Sequence, residues 1–257
     1  MRHTTGTDLS GKVALITGGS RGIGAAIAQA YASAGAAVAI VSRKRENGQP
    51  VADAITRDGG KAIALACHTG DRAQIAAAIA EVVAAFGGLD IVVNNAATNP
   101  QFGALLDATD EMWDKTLQVN VKGYFAVAQI AVPHLLKRGG GKIINVASIA
   151  GISPGRSMGV YSVSKAAVLM LTQALAQELG PQGIQVNAIA PGVIQTKFST
   201  ALWSNPALSA DVAAKSGRIG QPEDLEGVAL LLASSASNYI NGSVIVVDGG
   251  LGVAGPF

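Results

Sequence analysis

Tyr161 and Lys165 stand four residues apart in Tyr161-Ser162-Val163-Ser164-Lys165, so on a helix a phenol and an ammonium group project from one face. An isolated phenol has a pKa near ~10 and an isolated lysine near ~10.4, so neither exchanges protons readily at neutrality. A positive charge beside the phenol favours the phenolate, and a drop of roughly three units, about 4 kcal/mol, would make Tyr161 a working acid or base. The spacing alone also suits an ordinary surface pair. Ser148 adds weight, because it closes the apolar segment Lys142 to Ala147, and a hydroxyl at the carboxyl end of a parallel strand lies where such sheets bind ligands.

A second chemical signal is Thr17-Gly18-Gly19-Ser20-Arg21-Gly22-Ile23-Gly24. Gly18, Gly22 and Gly24 fit a dinucleotide fingerprint, which needs glycine at the tight turn, at the approach to pyrophosphate and where helix packs on sheet. Pyrophosphate would rest on the helix amino end, where unpaired N–H groups and the dipole favour anions. The chain has 32 glycines, so the pattern gains meaning only from the strand before it and the helix after it. At the end of the second strand, where an NAD site commonly holds a carboxylate for the ribose hydroxyls, the sequence reads Ser42-Arg43. Arg43 and Arg21 offer two guanidinium groups to a 2′-phosphate, which predicts NADP(H) over NAD(H).

The elements that must hold these groups alternate regularly. Val13 to Thr17 reads as a strand, Gly22 to Ala34 as a helix and Ala37 to Val41 as a strand, a βαβ unit. A polar helix near Glu46 to Asp58, a strand at Ala62 to Ala66, a helix at Arg72 to Phe86 and a strand at Leu89 to Asn94 follow. A long helical stretch from Glu111 to Lys137, expected to be interrupted at Pro133, ends at Gly139-Gly140-Gly141 before the strand Lys142 to Ala147. Then come a helix at Tyr161 to Leu179, a strand at Gln185 to Ala190, a loop with short helical pieces to about Gly220, a helix at Pro222 to Ala233 and a strand at Val244 to Asp248. The strands are apolar on both sides, as parallel strands covered by helices must be. The pattern predicts an α/β fold of Rossmann type, a doubly wound parallel seven-stranded sheet with helices on both faces. No repeat or low-complexity linker divides residues 1–257, so one domain is expected, with about 10–95 as its cofactor half and about 96–257 as its catalytic half.

Composition agrees: 49% of residues are apolar and 14% charged, enough for a large core. A net charge of +2, with no basic block longer than Arg43-Lys44-Arg45, argues against nucleic acid or a membrane surface as partner and for small molecules. The uncharged run Gly22 to Ser42 is Ala- and Gly-rich and contains Gln29 and Ser33, so a helix and a buried strand explain it better than a membrane span. The lone Cys67 forms no intrachain disulfide and reads as a buried thiol near a strand end. Met1 to Lys12 lacks the apolar stretch of a secretory signal, and Gly255-Pro256-Phe257 is not a peroxisomal S-K-L-type tail, so a cytoplasmic location is expected. No metal site is expected.

Thr17-Gly18-x-x-x-Gly22-Ile23-Gly24, Asn94-Asn95-Ala96, Asn120, Ser148, Tyr161 with Lys165, Pro191-Gly192 and Asp248-Gly249-Gly250 follow the order and spacing of the short-chain dehydrogenases/reductases, a family the sequence resembles along nearly its whole length. The resemblance implies that Tyr161 exchanges the proton, Ser148 bonds the substrate oxygen, Lys165 holds the nicotinamide ribose and lowers the Tyr161 pKa, and Asn120 positions a relay water. It implies that Asn95 and Ala96 line the adenosine side, that Pro191, Gly192 and Thr196 lie toward the nicotinamide, and that the Ile194 backbone bonds its carboxamide. It also implies a homotetramer built through the long helices and the last strand. Two departures stand out: Ala97 where the family usually has glycine, so the turn must tolerate a Cβ, and His68 where an aspartate is usual.

The segments Asn94 to Pro100 and Lys197 to Trp203 resemble the branch of peroxisomal NADP-dependent retinal and carbonyl reductases. Gln195 to Lys215 reads as a substrate lid carrying Phe198, Leu202 and Trp203, equally suited to packing or subunit contacts. The favoured expectation is reduction of an apolar ketone or aldehyde by NADPH. Oxidation of a polyol or sugar is the alternative, and Arg156 could hold a substrate carboxylate or simply face solvent. A non-catalytic dinucleotide-binding regulator would have no use for Asn120, Ser148, Tyr161 and Lys165 together.

Overall fold

The short aliphatic segments pair as strands because each can bury both faces beneath helices. In a computed structural model describing residues 6–253, the order is β1 (Val13–Thr17), α1 (Gly22–Ser33), β2 (Ala37–Ser42), α2 (Arg45–Arg57), β3 (Lys61–Ala66), α3 (Arg72–Phe86), β4 (Ile91–Asn94), α4 (Asp110–Leu117), α5 (Gly123–Lys137), β5 (Gly141–Val146), α6 (Gly159–Leu179), β6 (Ile184–Pro191), α7 (Thr200–Trp203), α8 (Pro206–Ser216), α9 (Glu226–Ala233) and β7 (Val244–Val247). The ending Gly255-Pro256-Phe257 lies outside the described residues.

All seven strands form one sheet in the order β3-β2-β1-β4-β5-β6-β7, every neighbouring pair parallel. The chain reverses its direction of winding between β1 and β4, and the crevice beyond their carboxyl ends is where such a sheet takes a ligand. One apolar layer joins Ile27 and Tyr31 of α1 to Leu232 of α9, and the other joins Ile75 and Ile79 of α3 to Ala131 and Leu135 of α5. The opposite rim is fixed by buried Asp90, which accepts from the Val13 N–H at 3.0 Å, Arg138 Nε at 3.1 Å and Lys12 Nζ at 3.5 Å. Charge pairing thus closes the end of the sheet remote from the glycine loop.

The predicted break at Pro133 is corrected: Pro133 sits inside α5, flanked by the buried Ala131 and Leu135. Proline removes only one helical hydrogen bond, and the apolar packing on either side carries the helix through. The irregularity falls earlier, where Gln118–Lys122 form a π-turn between α4 and α5. Such turns are frequent at functional sites, and this one contains Asn120, fully buried. Helix α6 with the turn after it, Gly159–Gln182, is long and apolar enough to cross a membrane by length and composition. It instead buries Tyr161, Lys165, Val168 and Thr172 within the fold.

Candidate active site

The glycine loop has the backbone its role needs. Gly18 and Gly22 have φ of 65° and 54°, a region that only glycine occupies freely. A Cβ on Gly24 would stand 2.5 Å from the Gly18 carbonyl oxygen, so Gly24 shapes the loop without lining the cavity beside it. Helix α1 starts with no acidic residue in its first turn and no side-chain cap, leaving its N–H groups for an anion. The Asn95 amide is spent on structure: Nδ2 donates to the Thr17 and Gly18 carbonyls at 3.0 and 3.1 Å, and Thr17 Oγ1 accepts the Asn95 and Ala96 N–H groups at 2.9 and 3.1 Å. This lattice locks the β1 and β4 turns together. Ala97 takes its place with φ below zero, for Ser157 is the only non-glycine residue with positive φ among those described.

A cavity of about 460 Å³ runs from this loop to the Tyr161 side of the crevice. Gly18, Ser20, Arg21, Gly22, Ile23, Ser42, Arg43, Asn95, Ala96, Ser148, Tyr161, Lys165, Pro191, Gly192, Ile194 and Thr196 all line it; of the sequence-predicted residues only Gly24 and Asn120 do not. The lining holds five Lys and Arg residues, Arg21, Arg43, Lys115, Lys165 and Lys197, and no Asp or Glu. None of the five forms an ion pair among the described residues, so the cavity suits a polyanion. Asn47 of α2 and Lys115 of α4 escaped sequence reasoning, since no motif marks them. His68 reaches the lining, but it is exposed and its Nδ1 accepts the Gly70 N–H at 3.2 Å.

At the other end, Tyr161 and Lys165 share the buried side of α6, as their spacing predicts. Burial pushes the Tyr161 phenol well above its ordinary value, opposed by a hydrogen bond from Ser148. Burial pushes the Lys165 ammonium down to about 7. In the polypeptide alone, loss of solvation is the dominant influence on the Tyr161 phenol. Lys165 Nζ turns to the Val146 carbonyl at 2.7 Å and the Tyr124 hydroxyl at 3.4 Å, and it lies 5.2 and 5.6 Å from the ring centres of Tyr124 and Tyr161. Tyr124, four residues beyond Asn120, was not anticipated; its hydroxyl also donates to the Val146 carbonyl, at 3.1 Å. Asn120 clamps Thr98 in both directions, accepting its N–H at 2.8 Å and donating to its carbonyl at 2.9 Å, and donates to Ser164 Oγ at 3.0 Å. Ser148 Oγ accepts the Ala150 N–H at 3.1 Å, which fixes it at the end of β5.

The lid splits in two. Phe198 and Leu202 line the cavity, and the Phe198 ring lies 5.7 Å from that of Tyr161 at a tilt of 46°. Trp203 does not line it; its indole N–H donates to the Thr196 carbonyl at 2.8 Å, anchoring the lid, and α8 also stays off the cavity wall. Ser199 Oγ donates to the Ile194 carbonyl, tightening the same turn. Asp248 of the Asp248-Gly249-Gly250 motif packs against Gly192: a Cβ there would stand 2.8 Å from Asp248 Cα.

These features fit a dinucleotide: close-approach glycines, an uncapped helix start and a cationic lining. A family model described as Enoyl-(Acyl carrier protein) reductase matches residues 18–252. The chain is 43% identical over 244 residues to Dehydrogenase/reductase SDR family member 4 of Oryctolagus cuniculus, covering 94% of each protein. Among solved structures, it resembles a short-chain type dehydrogenase/reductase from Mycobacterium marinum, at 42% identity and a TM-score of 0.91 over 96% of this chain and 97% of the other. It also resembles a gluconate 5-dehydrogenase from Burkholderia cenocepacia solved with NADP and tartrate, at 37% identity and a TM-score of 0.93 over 97% of this chain and 98% of the other. Likeness of that extent leaves no large part of either chain unmatched, and this protein belongs to the short-chain dehydrogenase/reductase family of oxidoreductases, which bind a nicotinamide dinucleotide.

Proposed function

We propose that the protein interconverts a ketone or aldehyde and its alcohol with NADP(H), in preference to NAD(H). The observation that carries the cofactor choice is a cavity lining that holds five Lys and Arg residues, none ion-paired among the described residues, and no Asp or Glu. Arg43, just after β2, and Arg21 in the loop both line the cavity, and their charge would complement a 2′-phosphate, whereas an NAD site commonly offers an acid after the second strand. The dinucleotide, when bound, supplies the hydride chemistry. The chain supplies the proton: buried Tyr161 holds its phenolic proton at neutrality and gives it to a carbonyl oxygen as negative charge develops, with Ser148 bonding the same oxygen. Lys165 and Asn120 position this cluster from behind. In the oxidative direction the same phenol takes the proton back.

Lys197, exposed and lining the cavity next to Phe198, supports a second reading in which a hydroxy acid or sugar acid is the substrate. Homotetrameric assembly belongs with the main reading and is supported by Phe125, Met170 and Val246, which leave apolar surface exposed on α5, α6 and β7; sedimentation as single chains would count against it. The deciding experiment assays aryl ketones, aldehydes, sugars and gluconate with NADPH and NADH, following absorbance of the reduced ring. NADPH is expected to give at least ~10-fold higher kcat/KM, and Arg43→Ala to erase most of that difference. Equal or better turnover with NADH overturns the cofactor assignment, and preference for gluconate over aryl ketones favours the second reading.

A further inference from the structure

Two consecutive residues of α6 are each met from the stretch that the π-turn divides. Asn120 donates to Ser164 Oγ at 3.0 Å, and four residues on Tyr124 meets Lys165. Tyr124 is 1% exposed and does not line the cavity, so it stands behind the site rather than in it. Its backbone carbonyl accepts from Asn94 Nδ2 at 3.4 Å, and the same amide donates to Asn145 Oδ1 at 3.0 Å, which ties the start of α5 to β4 and β5. The Tyr124 hydroxyl donates to the Val146 carbonyl at 3.1 Å, which turns an oxygen lone pair toward Lys165 Nζ, 3.4 Å away. Lys165 Nζ donates to that same carbonyl at 2.7 Å, so carbonyl, phenol and ammonium close a triangle. An ammonium has three N–H donors. Two are spent here, which leaves the third for the cavity that Lys165 lines. No carboxylate pairs with Lys165 among the described residues. The titratable groups that face it are the phenols of Tyr124 on α5 and Tyr161 on α6, whose ring centres lie 5.2 and 5.6 Å from Nζ. Burial, with Tyr161 beside it, pushes the Tyr124 phenol well above its ordinary value, so it remains a neutral dipole. A buried ammonium without a counter-ion depends on such dipoles to stay charged.

We propose that Tyr124 is a positioning residue for the reaction: its hydroxyl seats the Lys165 ammonium against the Val146 carbonyl, keeping the group charged and one N–H free for the cavity. The inference rests on the carbonyl-reductase reading and adds a residue to it. Rates depend steeply on how closely reacting groups are held in place, and the seat fixes a long, otherwise flexible side chain from two sides before any ligand arrives.

Tyr124→Phe keeps the ring, and with it the packing and the cation–π contact, and removes only the hydroxyl. The first measurement titrates Lys165 in the dinucleotide-free full chain by NMR of carbon-labelled lysine side chains, its resonance being the one absent from Lys165→Met. The Lys165 midpoint is expected ~0.5–1 pH unit lower in Tyr124→Phe than in the wild type, since losing a hydrogen bond to the charged form favours the neutral amine. The second measurement follows reduction of aryl ketones and aldehydes at saturating NADPH. There kcat is expected to fall ~10-fold while the substrate KM stays within about threefold, as befits a group behind the site. A Tyr124 that merely fills the core would give a lower thermal midpoint with both readouts unmoved, which overturns the proposal. An unchanged Lys165 titration overturns it whatever the activity, and so does a loss confined to KM. A shifted titration with kcat unchanged removes the positioning role. If the wild-type chain reduces neither ketones nor aldehydes, the carbonyl-reductase reading falls and takes this role with it, a failure that the wild-type assay by itself tells apart from the others.

Discussion

At the scale of single residues, burial governs the reacting groups more than their mutual charge. The Tyr161 phenol is pushed up and the Lys165 ammonium down to about 7, each chiefly by loss of water. Tyr161 thus rests as the neutral acid, the form required to protonate a carbonyl oxygen, and Ser148 is the neighbour that eases its ionisation. Lys165 rests on the Val146 carbonyl beside Tyr124, held by the core. Tyr161→Phe removes the proton donor and little packing. We expect kcat to fall by at least ~10²-fold while the NADPH dissociation constant, read from protein fluorescence quenching, stays within about threefold; retained turnover would mean another group carries the proton. Asn120 acts through its neighbours, tying Thr98 to Ser164 beneath the cavity.

Among the elements, the junction of loop and helix at the start of α1 carries the cofactor end. Gly24 has no room for a side chain, since an added Cβ meets backbone at 2.5 Å rather than a movable side chain. Gly24→Ala must therefore shift the loop or the helix. We expect a stability loss of ~1–3 kcal/mol, seen as a lower thermal midpoint, together with at least ~10-fold weaker NADPH binding; normal binding in a stable variant would show that the loop tolerates the shift. Gly87 is the contrast at the C-cap of α3, with φ of 81° but nothing within 4 Å of an added Cβ. The π-turn between α4 and α5 is a second such device: the wider turn lodges Asn120 in the core, within reach of Thr98 and Ser164.

For the whole molecule, two buried lysines make stability depend on pH. Lys142, held by Asn238 at 2.9 Å and Ser237 at 3.3 Å, is pushed down to about 8 by burial and by Lys12, and Lys165 to about 7 by burial. Both folded values lie below the unfolded value near ~10.4. The unfolded chain therefore binds more protons between the two, and stability rises with pH through that window. Cys67, pushed up to about 11 by burial, acts in the opposite sense once the unfolded thiol ionises above pH ~8.5. The urea midpoint of the dinucleotide-free protein should rise from pH 7 to about pH 8.5, and Lys142→Met should flatten the upper part of that rise. A midpoint that falls over this range would contradict the assignment of these lysines.

The order of strands and helices, the glycine loop and the pairing of Tyr161 with Lys165 were legible in the sequence, because each rests on local periodicity or on backbone freedom that neighbouring residues reveal. Tertiary structure decided what those groups face. The turning of Lys165 to the Val146 carbonyl, the use of Asn95 and Trp203 as fasteners, the passage of α5 through Pro133 and the meeting of Tyr124 with Lys165 all depend on residues brought together from distant parts of the chain. Burial and hydrogen-bond partners are properties of that assembly, so spacing along the chain could name the reacting residues but could not set their ionisation or their partners.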